Sequence, residues 1–311
     1  MEVVAAVAAH KMLSRNRNQI GEPDMTGNTR HWGVGLGWRP ELAWFIDNSP
    51  LIGFVEVIAE SISREQPLPP AIARLQSRHV PIIPHGISLS LGGAEPLDSS
   101  RIRKLAEAAE RLQAPLVSEH IAFVRGAGLE VGHLLPVPRT RTALQVIVEN
   151  IRLVQAELPV PLAVENIATL FQWPDAEFNE AEFLTEILEQ TGALLLLDLA
   201  NVHANARNHG GEALELLDRL PLERVAYVHV AGGTERQGVY HDTHAHPLTA
   251  PVLELLNELC SRNVPAGVLL ERDDQFPTSG ELERELAALS DIYKAAIRKR
   301  ATDSESYRHV C

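Results

Sequence analysis

Cysteine is nearly missing from this 311-residue chain. Cys260 falls inside an apolar helical pattern and Cys311 is the last residue, so no disulfide framework is available. Long apolar runs are missing as well. The run at residues 193–197 is five long, against the roughly 20 residues that a membrane-crossing helix needs, and a membrane protein is excluded. Cationic charge is scarce: 28 Lys and Arg stand against 41 Asp and Glu, a formal charge of −13. Tight sequence-independent grip on DNA or RNA depends on Lys and Arg neutralising phosphates, so nucleic acid is not an expected partner. The glycines of GVGLGWRPEL (33–42) do not fit G-x-G-x-x-G, so an open doubly wound sheet built around a dinucleotide loop is disfavoured. The opening MEVVAAVAAHKML has no basic region ahead of its short apolar stretch; residues 1–30 are read as a flexible extension, not an export signal, and a reducing cytoplasm is expected.

What is present is globular: 45% hydrophobic and 22% charged residues, in a length that suits one large domain. Short buried-strand patterns recur at 33–38, 54–60, 80–89, 115–123, 161–168, 193–202, 224–232 and 266–273. Amphipathic helical patterns separate them. After Asp98, Ser99 and Ser100, which can cap a helix, Ile102, Leu105, Ala106, Ala109 and Leu112 share a face. Leu144, Ile147, Val148, Ile151, Val154 and Leu158 repeat the pattern, and Leu282, Leu286, Leu289 and Tyr293 close the series. Eight strands, each followed by a helix, predict an α/β fold, a single-domain (β/α)8 TIM barrel over residues 31–300, with 301–311 as a flexible C-terminal tail.

Histidines and carboxylates collect at the C-terminal ends of these strands: His85, His120, His203 and His229 with Glu56, Glu60, Glu119, Glu165, Asp198 and Glu271. Barrel enzymes build their sites at that rim. A carboxylate inside an apolar strand is costly unless paired or metal-bound, and the basic residues near strands, such as Arg39 and Arg272, are too few to serve all of these. Divalent cations are the expected shared partner. The segment HDTHAH adds Asp242 and His244, spaced to offer an oxygen and a nitrogen on one side of an extended chain. Glu119 and His120 are neighbours and point to opposite sides of a regular strand; alternation favours His120 into the barrel.

The ordered segments FVEVIAES, IPHGISLSLG, LVSEHIAF, HLLPVPRT, AVENIATL, LLLDLANVHANARNHG, VHVAGG, HDTHAHP and LLERDD, from about Trp32 to Asp274, resemble the multinuclear non-haem iron-dependent oxidative enzymes. That family includes the methanobactin-biosynthesis oxygenase and the enzymes of peptide-derived thiaglutamate production. The resemblance implies a barrel, two or three iron ions, O2 as co-substrate, and oxidation of a ribosomally made precursor peptide at cysteine. It also implies a separate partner protein that recognises the leader peptide. Carried over by position, it puts His85, Glu119, His120, Glu165, Asp198, Asn201, His229, Asp242, His244 and Glu271 among the metal ligands, favouring Glu119 where alternation favours His120, with Glu165, Asp198 and Glu119 as candidate bridges. Glu60, Asn166 and His203 are the candidates for catalytic or orienting roles. The chain departs from the family pattern at Ile58, where the family has a metal-binding His, at Ser61 for an Asn, and at Gly233 for a second His; His203 stands where a tyrosine is common. Two alternatives stay open on the sequence: a metal-dependent hydrolase or isomerase of the same barrel superfamily, and a degenerate binding or scaffold protein. A sugar isomerase's lysine has no counterpart, since Lys11, Lys104, Lys294 and Lys299 all lie off the strands.

Overall fold

The computed structural model describes residues 31–308, with side chains to residue 302. The expected extension, 1–30, and the last three residues of the expected tail lie outside the described residues.

Each of the eight strand patterns forms a barrel strand. They are β1 (Gly33–Gly37), β2 (Phe54–Ile58), β3 (Ile82–Gly86), β4 (Val117–His120), β7 (Leu162–Glu165), β8 (Leu194–Asp198), β9 (Val225–Val230) and β12 (Gly267–Leu270). All pair in parallel, in the closed order β1-β12-β9-β8-β7-β4-β3-β2. The helices are α1 (Ala43–Asn48), α2 (Pro70–Ser77), α3 (Ser99–Leu112), α4 (Arg141–Glu157), α5 (Glu180–Thr191), α6 (Leu199–His209), α7 (Ala213–Arg219), α8 (Ala250–Arg262) and α9 (Ser279–Arg308). Asp98 caps α3, accepting from Ser100 N at 2.8 Å. Residues 301–308 of the expected tail continue α9. Among the described residues no helix is long and apolar enough to cross a membrane.

Two hairpins that the strand patterns did not resolve rise from the C-terminal rim. β5 (Phe123–Gly126) pairs with β6 (Leu129–Leu135) after β4, and β10 (Gly232–Arg236) pairs with β11 (Val239–His246) after β9.

Strand alternation divides the barrel's residues into two sets. Val55, Val57, Ile82, Val117, Leu162, Val164, Leu195, Leu197, Val228, Val230, Val268 and Leu270 belong to the large core shared with the helices. The other parity builds a separate apolar floor inside the barrel, from Trp32, Phe54, Ile83, Leu116, Ala163, Leu196, Tyr227 and Leu269. The Phe54 ring fills the middle of that floor; a Cβ added at Gly35 or Gly267 would sit 2.6 Å from its Cε1, so both positions need glycine. Two residues beyond each floor residue from Phe54 onwards the same inward parity carries a different chemistry: Glu56, His85, Ser118, Glu165, Asp198, His229 and Glu271, with His120 two beyond Ser118. The fold therefore lifts one polar layer directly above one apolar layer.

Candidate metal centre

The polar layer is buried. His229 and Asp198 are fully inaccessible, and Glu56, His85, His120, Glu165 and Glu271 retain only traces of exposure. Their donor atoms close into overlapping groups: His85, His120 and Glu165; Glu56, His229 and Glu271; Glu165, Asp198 and His229; and Asp198, His244 and Glu271. In each, one atom per residue lies within 4.8 Å of the others, the spacing of atoms able to share an ion. Glu165 and Asp198 each belong to two groups, as do His229 and Glu271.

The distances are close, yet hydrogen bonds do not exhaust them. His229 Nδ1 is 3.2 Å from both Glu165 Oε1 and Glu271 Oε2. His120 Nε2 is 3.2 Å and His85 Nε2 3.5 Å from Glu165 Oε2. His244 Nε2 lies 2.6 Å from Asp242 Oδ2 and 3.6 Å from Glu271 Oε2, while its Nδ1 reaches Asp273 at 3.0 Å. Even so, Glu165 Oε2, Asp198 Oδ2, His229 Nδ1, Asp242 Oδ1 and Glu271 Oε2 are buried without a hydrogen-bond partner. Buried polar atoms are ordinarily satisfied, and five orphans facing one another are what a bound cation would explain.

Arginines do not fill that role. Arg272 is buried but pairs with Glu285 at 2.7 Å, and Arg39 pairs with Asp273. Among the described residues no Lys or Arg forms an ion pair with Glu56, Glu165, Asp198, Asp242 or Glu271. The crowding is visible in proton affinities. Burial, reinforced by Asp242, Glu271 and Glu165, pushes the Asp198 carboxyl well above its usual range. Burial would raise Glu271 as well, but His229 and His244 outweigh it and hold it well below the usual range. Burial alone would lower His229 and His244, yet the carboxylates beside them, Glu271 first, raise both well above the usual imidazole value.

Glu119 takes the other parity. Its Oε2 accepts the amides of Ser88 at 3.2 Å and Leu89 at 2.9 Å, its Oε1 that of His120 at 2.8 Å, and it joins none of the metal-capable groups. His120 is the member of the pair that enters the barrel, as alternation predicted. Two asparagines link β7, β8 and α6 at the rim. Asn166 spans to β8, accepting from Asp198 N at 2.9 Å and donating to Asp198 O at 3.0 Å. Asn201 donates to Asn166 O at 3.0 Å, and its amide caps onto Asp198 Oδ1 at 2.7 Å.

Glu60 and His203 lie outside the cluster. Glu60 is exposed and accepts from Ile87 N at 3.1 Å. His203 is half-buried on α6, edge-on to Tyr240 at 4.9 Å between centroids. Ile58, paired in register with His85, has the inward parity of Glu56 but no donor atom. Glu56 is the residue that sequence reasoning noticed without giving it a role: it accepts from His229 Nε2 at 2.9 Å and from Tyr227 Oη at 2.5 Å. Its signal was its place two residues above a floor phenylalanine. Trp173 donates from Nε1 to Pro136 O at 2.6 Å and ties the loop after β7 to the end of β6.

The chain is 54% identical over 271 residues, 85% of its length, to a Streptomyces avermitilis protein called UPF0276, of which it spans 55%. It is 34% identical to a UPF0276 protein of Rhizorhabdus wittichii, across 89% of this chain and all of the relative. Endonuclease IV from Thermus thermophilus shares the barrel at a TM-score of 0.54 and 19% identity, covering 86% of this chain and 99% of that one. Residues 33–294 match the family of RiPP precursor modification enzymes MbnB/TglH/ChrH, and with that span and those relatives the chain belongs to this family.

Proposed function

We infer that this protein is a metal-dependent oxidative enzyme that modifies a ribosomally made precursor peptide at cysteine, using two or three iron ions and O2, together with a separate leader-recognising partner protein. The observation that carries the reading is the set of five orphaned buried donors facing one another with no arginine or lysine paired to them. Family membership supports the peptide substrate. The donor set supports iron: it combines imidazole nitrogen with carboxylate oxygen and has no thiolate, Cys260 being buried in α8.

His85, His120 and Glu165 would hold one ion, and Asp198, His229, His244 and Glu271 the remainder, with Asp242 beside His244 as a further donor. Bound ferrous ions would supply electrons to O2 and an acidic seat for a substrate thiolate. The chain's own residues do the rest. The apolar floor of Phe54, Ile83, Leu116, Leu196 and Leu269 keeps water from beneath the donors. Asn166 fixes the Asp198 main chain and the Asn201 amide holds Asp198 Oδ1, so that the other Asp198 oxygen stays aimed at the cluster. Glu119 holds the backbone of the loop above β3 and contributes no donor to the groups.

The test is metal counting and Mössbauer spectroscopy on anaerobically purified protein, followed by O2 uptake with a cysteine-bearing precursor and its partner. More than one tightly held iron per chain, with O2 consumed only when peptide is present, is expected. Zinc or manganese with anaerobic turnover would favour a hydrolase or isomerase. Less than one ion per chain would favour a scaffold.

A further inference from the structure

Below the cluster, five buried side chains on four strands form one unbranched hydrogen-bonded line. His85 Nδ1 is 2.8 Å from Ser118 Oγ; Ser118 Oγ is 2.8 Å from Tyr227 Oη; Tyr227 Oη is 2.5 Å from Glu56 Oε2; and Glu56 Oε2 is 2.9 Å from His229 Nε2. All five are buried, so water is not available to relieve a mismatched donor.

Each hydroxyl has a single proton to give, and an ionised carboxylate can only accept. With Glu56 ionised, the line has one consistent assignment. Tyr227 donates to Glu56, so Ser118 must donate to Tyr227, so His85 must donate from Nδ1 to Ser118. On the other side His229 donates from Nε2 to Glu56. With both imidazoles neutral, as metal ligands must be, the two nitrogens left bare are His85 Nε2 and His229 Nδ1. These are the ones 3.5 Å and 3.2 Å from the Glu165 oxygens.

We propose that Glu56 is a positioning residue that sets both imidazoles at once, acting directly on His229 and through Tyr227 and Ser118 on His85, so that each presents a lone pair to the metal cluster. One carboxylate thereby performs for two ligands from two different strands the orienting task that a ligand's partner usually performs for one. The inference rests on the metal-binding part of the functional reading, not on its oxidative chemistry.

Substitutions separate the line from mere packing. Tyr227 and His229 meet the same Glu56 oxygen, so the amide oxygen of Glu56→Gln can accept from both and keep the line, whereas Glu56→Leu removes the acceptor. In Glu56→Leu, Tyr227 is freed to donate to Ser118 and Ser118 to His85 Nδ1, leaving the proton on Nε2. Tyr227→Phe keeps the ring that packs on Phe54 and Trp32 while cutting the line on the His85 side alone. Ser118→Ala cuts it at the middle and is the smallest change of the three.

The experiment uses the full chain with zinc, which is diamagnetic and performs no redox step, and reads 15N NMR of labelled histidines beside zinc affinity by competition with a chelating dye. In the parent, His85 should keep its proton on Nδ1 and His229 on Nε2. Glu56→Leu should lose the Nδ1 proton of His85 while Glu56→Gln keeps it, and Glu56→Leu, Tyr227→Phe and Ser118→Ala should each bind zinc about 10–100-fold more weakly. Tyr227→Phe and Ser118→Ala should leave the His229 signal unmoved. Parental zinc affinity in Glu56→Leu, with the His85 proton still on Nδ1, would overturn the inference. So would a parent chain that takes up no zinc at all. Zinc held firmly by a chain whose iron form never consumes O2 would sink the oxidative reading and leave this one standing.

Discussion

Asp198 divides its work between its oxygens: one caps α6 through the Asn201 amide, the other is buried and unpartnered. Burial, then the charges of Asp242, Glu271 and Glu165, raises its carboxyl well above the usual range. A carboxyl raised in the folded state stabilises while it is protonated, and that contribution is lost as pH climbs through the folded value. Asparagine caps a helix about as well as aspartate. Asp198→Asn should therefore raise the unfolding midpoint of chelator-stripped protein at pH 8 and weaken metal uptake by about tenfold or more, read by calorimetry and metal titration. A stripped variant less stable than the parent would contradict this. His120 runs in the same sense for another reason. Burial pulls its pKa down, but Glu165 and Glu119 outweigh burial and lift it to about 9. The folded-state value lies above the unfolded one, so the contribution is full below pH 6.5 and lost as pH rises through about 9. The loss is on the order of 3 kcal/mol. His120→Gln should flatten the stability of stripped protein across that window in urea unfolding measured at successive pH values.

The loop between β3 and α3 depends on a residue from the neighbouring strand. Glu119 satisfies the amides of Ser88 and Leu89, and a Cβ at Gly86 would come within 2.8 Å of its Oε2. Glu119→Ala would leave those buried amides unmatched, at a cost of about 1–3 kcal/mol. The expected result is a lower denaturant midpoint with unchanged metal stoichiometry; loss of an ion would return Glu119 to the ligand set. At this scale the sequence was informative where alternation was regular. The eight barrel strands stand out as apolar runs, and counting by twos from Ser118 puts His120, not Glu119, inside. The hairpins escaped for a physical reason. Both turn through paired left-handed residues, Ala127-Gly128 and Gln237-Gly238, instead of the Asn-Gly pair that announces such a turn. Their strands also lack a buried apolar face: the first half of β6, with Leu129 and Val131, is exposed and β11 is mostly polar. The line through Tyr227 was out of reach for a different reason, since Glu56 and His229 are 173 positions apart and meet only when the barrel closes.

Across the whole barrel, the interior turns from hydrocarbon to charge within one layer of side chains, and the charges have to be balanced inside it. Five carboxylates, Glu56, Glu165, Asp198, Asp242 and Glu271, face four imidazoles, His85, His120, His229 and His244. In stripped protein the balance is made by protons. His229 and His244 hold theirs well above the usual imidazole range, overcoming burial through Glu271 and its neighbours, and His120 does so to about 9. A cation binds the same nitrogens only after those protons leave, so uptake releases protons and strengthens as pH rises. The metal-free fold weakens over the same interval, because each raised imidazole gives up its contribution as it deprotonates. Both trends act in one direction on the gap between loaded and stripped protein. A ligand at 1,000 times its Kd stabilises by about 4 kcal/mol, and that gap should widen steadily from pH 6.5 to 9. Calorimetric unfolding of the two forms at matched pH reads it directly. Titration in buffers of different ionisation enthalpy should show proton release near pH 7. A gap that stays flat or narrows would mean that the folded cluster is balanced by its own hydrogen bonds. The unpartnered oxygens of Glu165, Asp198, Asp242 and Glu271 would then have to be satisfied by water, and the layer would be a polar plug instead of a metal seat.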